Sequence, residues 1–203
     1  MNWLKGLFGE QTDWGGFYGL AEEAPPGNDG LMLIPYFSGA NAPYWDLNAR
    51  GVMVGLLLDH GRPHLVRAVI EGLAYETRRT IESMEKGTGS LVSEARMYGG
   101  SARSDTWNQI FSDILGVKVC TLDTSETTAL GAAICAAKGT GIYSDFAEAV
   151  QNMVRVRREF DPEPGRQGLY GELFDEVYRK LYDKVSGLIQ NLSERTTKMT
   201  QEV

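Results

Sequence analysis

Little in this sequence speaks for metals, membranes or polyanions. It has two cysteines, Cys120 and Cys135, both in apolar runs. The expectation is buried free thiols in a reducing compartment, not a disulfide framework. The two histidines, His60 and His64, have the i, i+4 spacing of a helical metal pair, but Gly61 and Pro63 lie between them. A helix-entry turn is the better reading, with Pro63 at the first helical position. Basic charge is short, 20 Lys and Arg against 27 Asp and Glu for a net charge of −7, so neither nucleic acid nor an anionic membrane is expected as a partner. No apolar run approaches the length of a bilayer span. Met1–Gly9 does not read as a leader, so a cytoplasmic location is the expectation. Walker A and G-x-G-x-x-G patterns are missing, and so is any internal repeat.

What is present fits one globular domain, or one domain with an appended helix. A chain of 203 residues, 42% hydrophobic, can bury about 70% of its unfolded surface. Its middle is organised around Met97–Ala137. Ala95 and Met97 alternate with polar neighbours and lead into Gly99-Gly100-Ser101. Trp107, Ile110, Phe111, Ile114 and Leu115 then fall on one helical face, and Gly116 sits where a left-handed residue closes a helix. Val117–Leu122 has strand composition. Ser125 is placed to cap a second helix from Glu126, whose face is small: Ala129, Gly131, Ala132, Ala133, Ala136 and Ala137. Such a face lets backbones approach closely. The predicted order is strand, glycine turn, helix, strand, helix.

The turn is the chemically interesting part. Two glycines after a strand let a ligand lie against bare main chain. Ser101 and Ser104 add hydroxyls, and the following helix aims unpaired N–H groups at the turn. The arrangement suits a nucleotide, although Gly-Gly before a helix also serves as a plain tight turn.

Elsewhere, Trp3, Leu4, Leu7 and Phe8 predict a short helix ended by Gly9, and Gly16–Glu23 a second. Ala24–Gly30 reads as a loop, and Leu31–Phe37 as a strand in which Pro35 marks the end or a sheet edge. Ser38–Gly51 is a long loop, either a cover over a cleft or a surface loop held by Tyr44 and Trp45. Asp46 and Arg50 are expected to pair. Val52–Leu58 reads as a strand. A helix from Pro63 to about Lys86 presents Val66, Ile70, Leu73, Thr77, Ile81 and Met84, with Glu71 in a hydrogen-bonded structural role. Phe146–Met153 reads as a helix, Val154–Gly168 as a connector with Arg155, Arg157 and Arg158 on a solvated face. Leu169–Leu192 reads as an amphipathic helix with Leu173, Val177, Leu181, Val185 and Leu188 along one side, packed back on the domain or paired in a coil with a partner.

Two patterns carry a family resemblance. Gly99-Gly100-Ser101-Ala102-Arg103-Ser104, Trp107, Gln109, Asp113–Gly116, Glu126 and Ala129–Ala133 form the first. Pro35–Gly39, Ala42–Asp46, Ala49–Leu56, His64-Leu65 and Ala68–Gly72 form the second. Together, over about Asn2 to Leu192, the chain resembles the C-terminal domain of the FGGY carbohydrate kinases, nearest their xylulose-kinase-like branch. The resemblance implies an α/β fold: a ribonuclease-H-like (actin-like ATPase) domain, the C-terminal half of a two-domain sugar kinase, lacking its first strands. Residues 1–153 would be that domain, partial at its start. Residues 154–192 would be its connector and packing helix, and 193–203 a disordered tail. It further implies transfer of the γ-phosphoryl of ATP, with Mg2+, to a ketose or polyol hydroxyl. Gly99, Gly100, Ser101 and Ser104 match the family's adenosine turn, and Asn2 a position beside the adenine. The family's catalytic aspartate and its sugar-binding N-terminal domain would precede Met1, so no catalytic residue is assigned and the chain is expected to be inactive alone. The missing strands imply an open sheet edge able to pair in a homodimer. A non-catalytic nucleotide-binding or interaction module, or a purely structural remnant, stands beside this reading.

Overall fold

The computed structural model describes residues 1–9 and 13–201. Helix α1 (Asn2–Leu7) and helix α2 (Trp14–Gly19) open the chain. The Asp13 carboxylate caps α2 by accepting the Gly16 N–H at 2.8 Å, which starts this helix two residues before the expected Gly16. Within α1 the expected apolar face divides. Leu4 is buried and Phe8 partly so, whereas Trp3 and Leu7 are exposed. Trp3 and Leu7 share a face one turn apart, and the Phe37 ring centroid lies 5.2 Å from that of Trp3.

Strands β1 (Met32–Ile34) and β2 (Val52–Val54) form an antiparallel pair. Both are shorter than their apolar runs. Pro35 ends β1, and Gly55, at φ +81°, turns the chain immediately after β2. A Cβ on Gly55 would strike the Gly30 carbonyl oxygen. Leu56, Leu57 and Leu58 therefore leave the sheet and are exposed.

Helix α3 (Arg62–Thr88) is the central pillar. Pro63 occupies its second position, not its first. The imidazoles serve the entry turn as expected: His60 Nδ1 accepts the Leu57 N–H at 3.0 Å, and His64 Nδ1 accepts the Gly61 N–H at 3.2 Å. Gly72 lies directly against β1, where a Cβ would overlap the Leu33 carbonyl oxygen. Val66, Val69, Ile70, Ala74 and Tyr75 are buried. Met84, expected inward, is exposed.

The second sheet has the order β3-β4-β5: β3 (Glu94–Met97), β4 (Lys118–Leu122) and β5 (Val156–Phe160). β3 and β4 are parallel, joined through helix α4 (Asp105–Leu115). That is the predicted strand, turn, helix, strand order, and Gly116 closes α4 at φ +70°. β5 runs antiparallel to β4 and corrects the expected connector. It carries Arg157, Arg158 and Glu159 on an edge, as edge strands do, and only Phe160 is buried. Arg158 pairs with Asp105, so it is not merely a solvated charge. Among the described residues β3 pairs only with β4, which leaves its other edge free.

Helix α5 (Thr127–Gly139) starts one residue late, and Ser125 does not cap it. Instead the Thr124 hydroxyl accepts the Glu126 N–H at 3.1 Å, while the Ser125 hydroxyl accepts from Arg103 at 2.9 Å. Of α5 only Ile134 and Ala137 are buried, so Ala129, Ala132, Ala133 and Ala136 lie exposed. Helix α6 (Phe146–Met153) follows, capped by Asp145.

Helix α7 (Pro164–Leu173), a wide turn of π type (Phe174–Tyr178) and helix α8 (Arg179–Gln201) form one continuous rod. Its fully buried stripe is aromatic, Tyr170, Phe174, Tyr178 and Tyr182, while Leu173, Leu181 and Val185 of the expected stripe are partly buried and packed against the same core. Val177 is exposed and Leu188 is 72% exposed. Steps of four residues overshoot a 3.6-residue turn; the wider turn offsets that drift and holds the four rings on one side. Tyr75 stacks on Tyr178 at 4.6 Å and on Phe174 at 5.8 Å. The rod continues past Leu192 as helix to Gln201, with Ser193 buried and accepting from Arg50 at 3.1 Å. Glu202 and Val203 lie outside the described residues.

Loop 38–51 is pinned as a packed surface loop. Tyr44 sits 4.6 Å from Tyr182 and bonds to Arg79. Trp45, expected as a second anchor, is 75% exposed. Asp46 and Arg50 do not pair: Asp46 accepts from Tyr182 at 2.7 Å, and Arg50 donates to Ala49 and Ser193.

Candidate functional site

The glycine turn lies at the carboxyl end of β3, where parallel strands deliver their following loops to one side of a sheet. Gly99 takes φ +83°, a conformation glycine reaches at no steric cost, and nothing lies within 4 Å of where its Cβ would be. The turn is braced from behind. Asn108, fully buried on α4, donates to the Ala102 carbonyl at 2.9 Å. Ser104 caps α4, its hydroxyl accepting the Trp107 N–H at 3.2 Å.

Two cavities flank the turn. The first, about 640 Å³, is lined by Asn2, Gly100, Ser101 and Ser104, four of the five residues singled out from the sequence. Its remaining wall includes Met1, Asp13, Trp14, Tyr18, Arg103 and Trp107. The volume is within the usual range for a small-molecule site. The second, about 300 Å³, opens between the ends of β3 and β4, and the fifth residue, Gly99, lies there with Arg103, Asp123, Ser125 and Arg157. Within the turn, Gly99 thus lines one cavity and Gly100, Ser101 and Ser104 the other.

The aromatic wall of the first cavity was not legible locally. Trp14 and Tyr18 come from α2 and Trp107 from α4. Tyr18 stacks with Trp14 at 5.6 Å and meets Trp107 edge-on at 5.3 Å, and Trp107 stacks with Phe111 at 5.2 Å. The Lys5 ammonium sits 4.6 Å over the Trp14 ring. Such rings offer flat surfaces for a planar heterocycle. Trp107 is 6% exposed, and its indole N–H finds no acceptor among the described residues. Burial pushes the Tyr18 phenol up, so it stays protonated and able to donate. Ser104 is nearly buried and already accepts one bond, which leaves its hydroxyl hydrogen and one lone pair for a ligand.

Glu71, inside the second sequence pattern, is built into the core away from both cavities. Its Oε1 receives Arg67 Nε at 2.6 Å, the Tyr170 hydroxyl at 2.6 Å and the Gly27 N–H at 3.3 Å. Arg67 also donates to the Ala21 and Ala24 carbonyls. Burial raises the Glu71 carboxyl against the pull of Arg67. This is the structural role expected of it. Among the described residues no group of three or more His, Cys, Asp or Glu side chains is arranged to hold a metal ion, and no helix is long and apolar enough to cross a membrane.

Residues 8–140 match the sequence model of the FGGY family of carbohydrate kinases, C-terminal domain. A glycerol kinase of Saccharolobus islandicus is 37% identical over 164 residues, 79% of this chain and 32% of that protein. The crystal structure of a ligand-bound xylulose kinase from Lactobacillus acidophilus superposes with a TM-score of 0.76 at 30% identity, over 84% of this chain and 34% of that one. A Plasmodium falciparum glycerol kinase, solved with ADP, superposes with a TM-score of 0.75 at 26% identity, over 89% of this chain and 36% of that one. The chain spans about a third of the length of the curated relatives it matches. These neighbours share the mixed α/β, actin-like ATPase architecture expected from the sequence. Their names differ in the sugar or polyol, which leaves the xylulose-kinase branch unsupported above its sisters.

Proposed function

This chain belongs to the FGGY family of carbohydrate kinases, as its C-terminal domain, and from that premise we propose that it supplies the adenosine-binding side of an ATP-dependent kinase acting on a hydroxyl of a ketose or polyol. The observation that carries the reading is the cavity at the glycine turn, where Asn2, Gly100, Ser101 and Ser104 meet the Trp14, Tyr18 and Trp107 rings. An adenine fits such a wall by stacking and by edge hydrogen bonds. The left-handed Gly99 keeps the main chain bare where the sugar-phosphate passes.

Phosphoryl transfer rests mostly on positioning and charge stabilisation. The residues here bind and orient the nucleotide; none is assigned to proton transfer. Mg2+ would arrive with the triphosphate, since such ions keep several waters and need only one or two carboxylates besides the phosphates. Asp123 is the carboxylate lining the strand-end cavity. The sugar and its hydroxyl would be held by an N-terminal domain of the same enzyme. The free β3 edge is the surface through which two copies would pair.

The test is an amide-resolved ATP titration of the folded chain, with and without Mg2+. Shifts centred on Asn2, Gly100, Ser101, Ser104 and the Trp14 and Trp107 side-chain N–H signals support the reading. A folded chain that shows none at millimolar ATP overturns it. A second reading, a non-catalytic interaction module, is favoured by the exposed small-residue face of α5. Kinase activity restored by an added N-terminal domain would exclude it.

A further inference from the structure

One side chain behind the glycine turn is a poor choice for stability alone. Asn108, the fourth residue of α4, is fully buried and lines neither cavity at the turn. Asparagine is a weak helix former, because its amide competes for nearby backbone groups. Its Oδ1 is buried with no partner among the described residues. An unpaired buried acceptor costs free energy that an apolar side chain of the same shape would not. Trp107, Ile110 and Phe111 around it are apolar and buried, so leucine would suit the position by its surroundings.

What the amide supplies is a tie to the turn. Two other ties come with the serine cap: the Ser104 hydroxyl accepts the Trp107 N–H at 3.2 Å, and the Asn108 N–H donates to the Ser104 carbonyl at 3.1 Å. The third, from Asn108 Nδ2 to the Ala102 carbonyl at 2.9 Å, needs a side-chain donor at this position. Ala102 precedes the cap, so its carbonyl lies outside the helical ladder. A peptide unit is planar and trans. Fixing this carbonyl therefore fixes the Arg103 N–H of the same unit, which donates to the Gly100 carbonyl at 3.4 Å. That bond is long and depends on the plane being held. No atom lies within 4 Å of a Cβ built on Gly99 or Gly100, so packing on that face does not shape the turn and hydrogen bonds must.

We propose that Asn108 is a positioning residue of the nucleotide site: its carboxamide holds turn 99–103 in the shape that receives the ligand, acting through Ala102, Arg103 and Gly100 without touching the ligand. This rests on the adenosine reading above. When the receiving shape is populated for a smaller fraction of the time, the apparent affinity falls by that fraction.

The experiment compares the wild type with Asn108→Leu and Asn108→Ala in three measurements: ATP titration, urea denaturation and the amide spectrum of the ligand-free chain. Asn108→Leu weakens ATP about fivefold, the scale of one neutral hydrogen bond, while its urea midpoint matches or exceeds that of the wild type. Asn108→Ala shows the same loss of affinity with a lower midpoint, because it leaves a void. In both, the Gly99, Gly100, Ser101 and Arg103 amide signals shift or broaden, and those of residues 110–115 hold. Equal affinity losses in two variants whose stabilities move in opposite directions separate positioning from packing. ATP affinity that follows the urea midpoint, affinity in Asn108→Ala within about twofold of the wild type, or turn amides unmoved in both variants overturns the inference while the adenosine reading stands. If the folded wild type binds no ATP, the adenosine reading falls and the inference falls with it.

Discussion

The two sides of this molecule are built to different densities. On one side, α3 lies against β1 so closely that Gly72 admits no side chain, and the α7–α8 rod buries four aromatic rings beside it. A charged pair, Arg67 and Glu71, is sealed into that side with every partner in place. On the other side, the β3-β4-β5 sheet has a free edge, and α5 buries two residues of thirteen. The glycine turn sits on the border, held on one flank by Asn108 and α4 and open on the other. The difference teaches where stability and recognition reside. The packed side fixes the turn, and the thin side leaves the surfaces that a ligand or another domain would cover.

The largest way to break this comparison is Glu71→Ala. It strands the Arg67 charge in the core, and the expected cost is about 3–5 kcal/mol, read as a lower urea midpoint. A loss under 1 kcal/mol would mean that the network is not the anchor of the packed side.

A smaller effect sharpens it at the rod. Hydrogen bonds from Tyr182 and the Asn48 N–H hold the Asp46 carboxyl below its usual range. A depressed carboxylate binds fewer protons folded than unfolded, so its contribution is complete above the unfolded value and fades as the pH falls through the folded one. The gap in stability between wild type and Asp46→Asn should therefore narrow on acidification from about pH 6 to about pH 3. The gap is small throughout because the site is near solvent. A constant gap across that range would show that Asp46 does not tie the loop to α8 through its charge.

The smallest expected effect is on the thin side. Ala132→Gln keeps helix propensity and adds bulk to the exposed face of α5, and its cost should lie within about 0.5 kcal/mol. A cost above 1 kcal/mol in the isolated chain would place that face in contact with something and erase the contrast.

How much of this was legible follows the range of the forces involved. The element order from β3 to α5 could be read directly, because its signals are local: alternation, a glycine pair, the apolar stripe from Trp107 to Leu115 and a left-handed Gly116. β5 escaped because an edge strand with three consecutive charged residues has strand geometry without strand composition. The rod was read as a helix, and its apolar side was legible in part: Leu173, Leu181 and Val185 pack on the core, while the four fully buried aromatic rings went unread. The aliphatic and aromatic stripes are adjacent in sequence, and choosing between them required the Tyr75 ring and a wide turn. At the candidate site, Asn2, Gly99, Gly100, Ser101 and Ser104 could be named from the sequence. Trp14 and Tyr18 could not, since α2 reaches α4 only in the folded chain.

By itself, then, the sequence determined the family, the strand-turn-helix order and the bare glycine turn, because hydrogen bonding, capping and periodicity act within a few residues. The tertiary structure decided which faces are buried, that Gly99 and Gly100 look into different cavities, and that Arg103 touches both. Those depend on side chains far apart in the chain competing for the same space, and only packing resolves that competition.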